Sequence, residues 1–161
     1  MSTAHLSCAP ADVDASLQEA EQLCRRKGGR MTPLRRQVLK LLLEAAGPSK
    51  AYDLLDKLDK EGAAKPPSVY RSLDFLLEMG LAHRIESLNA FVPCGHWGHG
   101  HAAVFLICLK CGSAGELHPD ASLAALTREI EGVGFESERM MIEVRGVCAE
   151  CRAKRAARGR A

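Results

Sequence analysis

Two CxxC pairs constrain this chain more than any other feature. Cys108-Leu109-Lys110-Cys111 and Cys148-Ala149-Glu150-Cys151 take four of the seven cysteines and stand 36 residues apart. Two residues between cysteines let both thiolates reach one ion, and two such knuckles complete a tetrahedral Cys₄ shell at about 2.3 Å per Zn–S bond. The spacer is longer than in a compact zinc ribbon, so a helix and a strand must fill it. Four thiolates leave no position for water, which makes the ion structural and its binding part of the folding free energy. A redox-active CxxC would follow a thioredoxin-like βαβ pattern, and none precedes either pair.

The 161 residues suffice for two small domains. No apolar run approaches the ~18 residues of a membrane span. The N-terminal MSTAHLSCAPADVD lacks the basic and apolar regions of a secretory signal. These features predict a cytoplasmic address, where Cys8, Cys24 and Cys94 are not read as a disulfide framework. The net charge of +2 does not announce a nucleic-acid partner. Between Gln22 and Leu43, however, Arg25, Arg26, Lys27, Arg30, Arg35 and Arg36 occur with no acid. Such a block can neutralise phosphates.

Helical spacing of apolar residues runs over 12–27 and stops at Gly28-Gly29. Thr32-Pro33 reads as an N-cap and first helical position for a second helix carrying Leu34, Val38, Leu41 and Leu42. Ser49 is placed to cap a third helix, with Tyr52, Leu54, Leu55 and Leu58, closed by Gly62. Pro66-Pro67-Ser68 opens a fourth that ends at Gly80. The period then changes to alternation through Leu81, His83 and Ile85, a polar turn at Ser87-Leu88-Asn89, and Phe91-Val92. Helices followed by a hairpin predict a winged helix-turn-helix, with helix four as recognition helix. After the Gly- and His-rich PCGHWGHGH, the pattern predicts a strand at 104–107, a helix from an Asp120 cap to about 131, and a strand near 139–144. The fold class expected is α+β: a winged-helix domain over 1–93, a hinge at 94–101 and a small α/β domain over 102–151. Residues 152–161, with five basic residues from Arg152 to Arg160, are expected to be a solvated end without regular structure.

A second constellation is looser. Five of the six histidines lie between positions 83 and 118, beside a lone cysteine. His83, Cys94, His96, His99, His101, Glu116 and His118 are the candidate ligands. Imidazole, thiolate and carboxylate together suit zinc and make a more exchangeable shell than four thiolates.

The stretches RMTPLRRQVLKLL, AYDLLDKL, AKPPSVYRSLDFLLEMGLAHRIES, FVPC, HAAVFLICLKCG and GVCAEC resemble the ferric uptake regulator superfamily, and within it the zinc uptake regulators, over about residues 15–151. The resemblance implies an N-terminal winged helix on a palindromic, A·T-rich duplex operator, a C-terminal dimerisation domain and a homodimer. It also implies a structural zinc at Cys108, Cys111, Cys148 and Cys151, and a sensing zinc at His83, Cys94, His101 and Glu116. His96 and His99 either substitute for His101 or form a third, weaker site with His118, so two zinc ions per subunit are expected, with room for one more. Tyr52 and Arg71 become base-contacting positions. An Arg near the start of a recognition helix can read guanine O6 and N7 in bidentate fashion. Arg35, Arg36, Lys65, Ser68 and Tyr70 join them as candidate DNA contacts.

The expectation is thus a zinc-responsive repressor, with no enzymatic activity, no membrane and no small-molecule substrate beyond the metal ion. An iron or peroxide sensor keeps the fold and changes the signal. A zinc hydrolase would need an open coordination position and a placed base, and neither HExxH nor a deaminase signature is present. A thiol redox switch would show reversible zinc loss under mild peroxide.

Overall fold

The computed structural model describes residues 12–59, 65–95, 97, 103–117, 119–138 and 140–158. They form two compact units, one within residues 7–99 and the other within 100–161.

In the first unit α1 (Val13–Arg26) begins where the Asp12 carboxylate accepts the Ala15 N–H at 3.1 Å. This satisfies one of the orphan donors of a helix start. α2 (Pro33–Glu44) starts as its sequence implies, with Pro33 in the first turn and Thr32 Oγ1 accepting from Arg35 N at 3.4 Å. α3 (Ala51–Asp59) is short, and α4 (Pro66–Met79) opens on Pro66 behind an extended Lys65. α4 ends at Gly80, which adopts φ +72, a left-handed conformation that costs least without a Cβ. There Gly80 N–H reaches Leu77 O and Leu81 N–H reaches Leu76 O. The chain thereby turns sharply into β1 (Ala82–Ile85), which pairs antiparallel with β2 (Ala90–Pro93). The turn between them is a single 3₁₀ turn, Glu86–Leu88, closed by Asn89 in the left-handed region at φ 46. One face of each helix builds a shared core: Leu17, Leu23 and Cys24 from α1, Val38, Leu39 and Leu42 from α2, Leu54 and Leu58 from α3, and Val69, Leu73 and Leu76 from α4, with Leu81 and Phe91 closing it.

In the second unit β3 (Ala103–Cys108) is central. β4 (Ala114–Leu117) pairs with it antiparallel, and β5 (Met141–Gly146) pairs with it parallel on the other side. A parallel neighbour requires a crossover connection, and α5 (Asp120–Gly132) lies in it. α6 (Ala149–Arg158) follows the last strand. Among the described residues, no helix is long and apolar enough to cross a membrane.

Three local expectations are corrected. Ser49 does not cap α3. Its backbone forms an isolated bridge to Phe91, with N–H···O distances of 2.9 and 2.8 Å, so the segment before α3 is used to extend the hairpin. Asp120 sits inside the first turn of α5, with Pro119 at the cap and no side-chain cap bond. There its charge still favours the positive end of the helix dipole. The basic end is a helix as far as Arg158, because alanines and long-chain cations are good helix formers and the cysteine turn starts the first turn for them. Gly62, the expected close of α3, lies outside the described residues.

The two faces of α4 make opposite predictions. Leu73→Ala removes a fully buried side chain and should lower unfolding stability by about 2–5 kcal/mol in a urea titration. Tyr70→Ala, exposed on the same helix, should stay within about 0.5 kcal/mol of the parent.

Candidate metal centres and nucleic-acid interface

The first cysteine pair straddles a turn at the end of β3. Gly112 holds φ +73, Gly112 N–H returns to Cys108 O at 2.9 Å, and Cys108 N–H donates to Ser113 O at 2.8 Å. The second pair straddles the junction of β5 and α6, where Arg152 N–H donates to Cys148 O at 2.9 Å. Because β3 and β5 are parallel neighbours, both turns fall at the same end of the sheet, joined by Leu109 N–H to Gly146 O at 2.8 Å. The four sulfurs all lie within 4.8 Å of one another, and Cys111 and Cys148 Sγ are 3.9 Å apart. A tetrahedron with 2.3 Å Zn–S bonds has edges of about 3.8 Å, so the donor set fits a tetrahedral soft ion such as zinc.

The surroundings favour negative charge at the first pair. Cys108 Sγ accepts the N–H groups of Cys148 and Lys110, each at 3.4 Å. The Cys148 N–H is the largest cause, followed by those of Cys111 and Lys110, that lowers the Cys108 thiol to about 6. The Ser113 hydroxyl, 3.0 Å from Cys111 Sγ, is the main cause that lowers that thiol. Cys151 is pushed up to about 12, first by its hydrogen bond with Cys148 and then by desolvation. Crowded sulfurs without a cation cannot all ionise, and a bound metal reverses that balance. The Ser113 hydroxyl and the backbone donors were not foreseen from the sequence. The Gly-Ser pair directly after the first knuckle is their only signal.

In the first unit, His83 on β1 stands opposite Val92 of β2, and Cys94 follows that strand with its N–H on Leu81 O at 3.0 Å. Both are buried, and a ring nitrogen of His83 lies within 4.8 Å of Cys94 Sγ. Glu116 belongs to the second unit, on β4 opposite Phe105, and is partly buried. His101, His96, His99 and His118 lie outside the described residues.

The candidate DNA contacts divide. Tyr52 on α3 and Tyr70 and Arg71 on α4 are exposed, with Tyr52 at 67%. Lys65, at the N-cap position of α4, is exposed too. Ser68 is partly buried, and its carbonyl accepts the Ser72 hydroxyl at 2.8 Å. Arg35 and Arg36 have internal work instead. The Arg35 guanidinium lies 3.6 Å over the Phe75 ring and donates to Arg30 O at 2.6 Å. Arg36 Nε meets Glu21 Oε1 at 3.1 Å. Each cation ties two parts of the unit together, and neither could turn to a phosphate without losing that tie.

The model of the Ferric uptake regulator family matches residues 26–145. The chain is 39% identical over 137 residues to the Zinc uptake regulation protein of Escherichia coli (strain K12), covering 84% of this chain and 80% of that protein. It is 28% identical over 144 residues to the Peroxide operon regulator of Bacillus subtilis (strain 168), covering 86% and 94%. Among solved structures it is similar to a Zinc Uptake Regulator complexed with zinc and DNA, with TM-score 0.83 and 36% identity over 91% of this chain and 99% of the other. It is also similar to holo XcZur, with TM-score 0.79 and 40% identity over 87% and 99%.

The spread of thiol affinities predicts a proton count. At pH 7 Cys108, at about 6, is mostly thiolate, while Cys151, at about 12, holds its proton. Loading zinc on the four cysteines at pH 7 should therefore release at least one proton, and more as pH falls through 6. Calorimetry in buffers of different ionisation enthalpy reads this directly. Loading without proton release would mean that Cys151 either is not a ligand or is already ionised before the metal arrives.

Proposed function

This chain belongs to the Ferric uptake regulator family, and from that premise we propose that it is a zinc-responsive transcriptional repressor of zinc uptake genes, acting in the cytoplasm as a homodimer on double-stranded DNA. The observation that carries the zinc reading is the buried pairing of His83 with Cys94 at the base of the wing. A thiolate beside an imidazole favours a soft or borderline ion over an oxygen-seeking one.

The reading gives each subunit two zinc ions, with room for a third. Cys108, Cys111, Cys148 and Cys151 hold a structural ion. His83, Cys94, His101 and Glu116 hold a regulatory one, and His96, His99 and His118 supply a third, weaker site. The regulatory ligands come from the wing, the segment after it and β4, so zinc would fix the spacing of two recognition helices in a dimer. Two-half-site binding requires that spacing. A coupling of about 1–3 kcal/mol is typical of such linkage, and a sharp switch needs more. On the operator, α4 would enter the major groove, with Arg71 on a guanine edge and Tyr52, Lys65, Ser68 and Tyr70 on the base or backbone around it. The palindromic, A·T-rich character of that operator rests on the family resemblance.

The second unit supports the dimer. Val133, Phe135, Val144 and Leu117 expose apolar surface, and α5 buries no residue within one chain. Apolar area of this kind favours a self-complementary contact.

Zinc held by a metal buffer, titrated against the fluorescence anisotropy of an A·T-rich palindromic duplex at fixed salt, tests the proposal. Binding should appear as free zinc rises and should not appear with iron or manganese. Equal response to iron would move the signal to the iron-sensing reading. Binding indifferent to all three would sink metal sensing altogether. In the same assay Cys94→Ser should give a folded dimer whose weak DNA binding no longer depends on zinc. Phe135→Asp should shift the protein to monomers in sedimentation equilibrium and cost at least tenfold in operator affinity. An unchanged dimer would place the interface elsewhere.

A further inference from the structure

Beside the sulfur cluster lies a recess of about 300 Å³ lined by Lys110, Val147, Cys151, Lys154 and Arg155. Its cations come from two separate segments. Lys110 stands in the turn of the first cysteine pair, and Lys154 and Arg155 stand on α6 about one turn past Cys151. All three are exposed, and no ion pair engages them among the described residues. Arg152 and Arg158 add charge on the same helix, whose only acid is Glu150.

A zinc ion with four thiolates carries a net charge of −2 by simple count. That dianion offsets part of the surrounding positive charge and leaves a surplus at the mouth of the recess. Val147 and the stems of the long cations make most of its wall apolar, and its three charged lining residues are all cations; charge of one sign in a concave site raises local counter-ion concentration and on-rates by roughly 10–10³. The recess matches the lower end of small-ligand pockets and is too narrow for a duplex.

We propose that this recess binds small polycarboxylate anions, and that it is the entrance by which anionic zinc-binding molecules reach and exchange the structural ion. The inference rests on the reading that the four cysteines hold zinc. Cys151 lines both the recess and the ligand set, so an anion seated there lies against the shell it must open. The exchange is a transfer of Zn²⁺ from four thiolates to the carboxylates and amines of the incoming molecule, and the freed thiolates take up protons from water.

The test is zinc release from the full-length protein in a Cys94→Ser background, dialysed free of weakly held metal until one zinc per subunit remains, so that only the cysteine-bound ion is read. EDTA, a polyanion, is compared with the neutral chelator tetrakis(2-pyridylmethyl)ethylenediamine. Lys110→Gln, Lys154→Gln and Arg155→Gln are introduced together, with circular dichroism to check that the fold persists. EDTA-driven release should slow by on the order of tenfold at low salt, and the difference should vanish toward 1 M salt. Release to the neutral chelator should stay unchanged. Millimolar citrate should slow EDTA in the parent and have no effect in the triple variant. Equal EDTA rates in parent and variant would overturn the proposal. Faster release to both chelators would also overturn it, since the cations would then serve only to balance the dianion. Protein isolated without zinc on these cysteines would overturn the zinc reading first, and the inference with it.

Discussion

Four sulfurs held within 4.8 Å of one another cannot all be anions unless a cation sits among them, and the second unit is organised around that constraint. The turn after β3 and the junction between β5 and α6 each present one CxxC pair, and the parallel register of β3 with β5 brings the two together. Hydrogen bonds already prepare one side of the cluster for charge, with backbone N–H groups on Cys108 and a hydroxyl on Cys111. The unit has a three-stranded sheet and a helix that buries nothing within one chain. Domains this small seldom build enough core on their own, so a metal cross-link and a partner surface are the natural supplements.

The first unit has the opposite economy. Its core is continuous, drawn from four helices and a hairpin, and its cations are partly turned inward. Arg35 stacks on Phe75 of α4, Lys27 Nζ donates to Met79 O at 3.0 Å, and Arg36 reaches back to Glu21 of α1. The first two tie the C-terminal half of α4 to α2 and to the end of α1, and the third ties α2 to α1. The proposed role of α4 on DNA would need a helix held rigidly from behind. The positive block after Gln22 thus contributes to holding α4 as well as to the unit's field.

Much of this was legible beforehand, for identifiable reasons. Helix starts at Asp12, Thr32 and Pro66 are local chemistry, and so is the stop at Gly80. The spacing of the CxxC pairs already implies that four sulfurs meet, and they do. What escaped was non-local or cooperative. Ser49 has the side chain of a cap, but the unpaired edge at Phe91 claims its backbone first. Arg35 and Arg36 read only as candidate phosphate ligands, and the ring and the carboxylate that also meet them come from distant positions. The helical form of the basic end depends on the cysteine turn that begins it, which no count of charges reveals. The imidazoles at His96, His99, His101 and His118 sit in segments with no periodic pattern, where spacing could only suggest a ligand set.

The contact between Cys148 N–H and Cys108 Sγ spans 40 positions of the chain. In an entropy picture, tying such a loop is comparable to a disulfide across it, worth about 4 kcal/mol through the restricted unfolded chain. A disulfide would need an oxidant and would lock the link for the life of the protein. A four-thiolate metal link forms in reducing surroundings and exists only while the ion does. The β3–β5 pairing is a parallel, long-range contact of the kind that forms slowly. Each CxxC turn, by contrast, can capture metal locally. Were the four cysteines to hold the ion as proposed, its capture at one turn would come before strand pairing, and the supply of metal would set how quickly a newly made chain completes this unit.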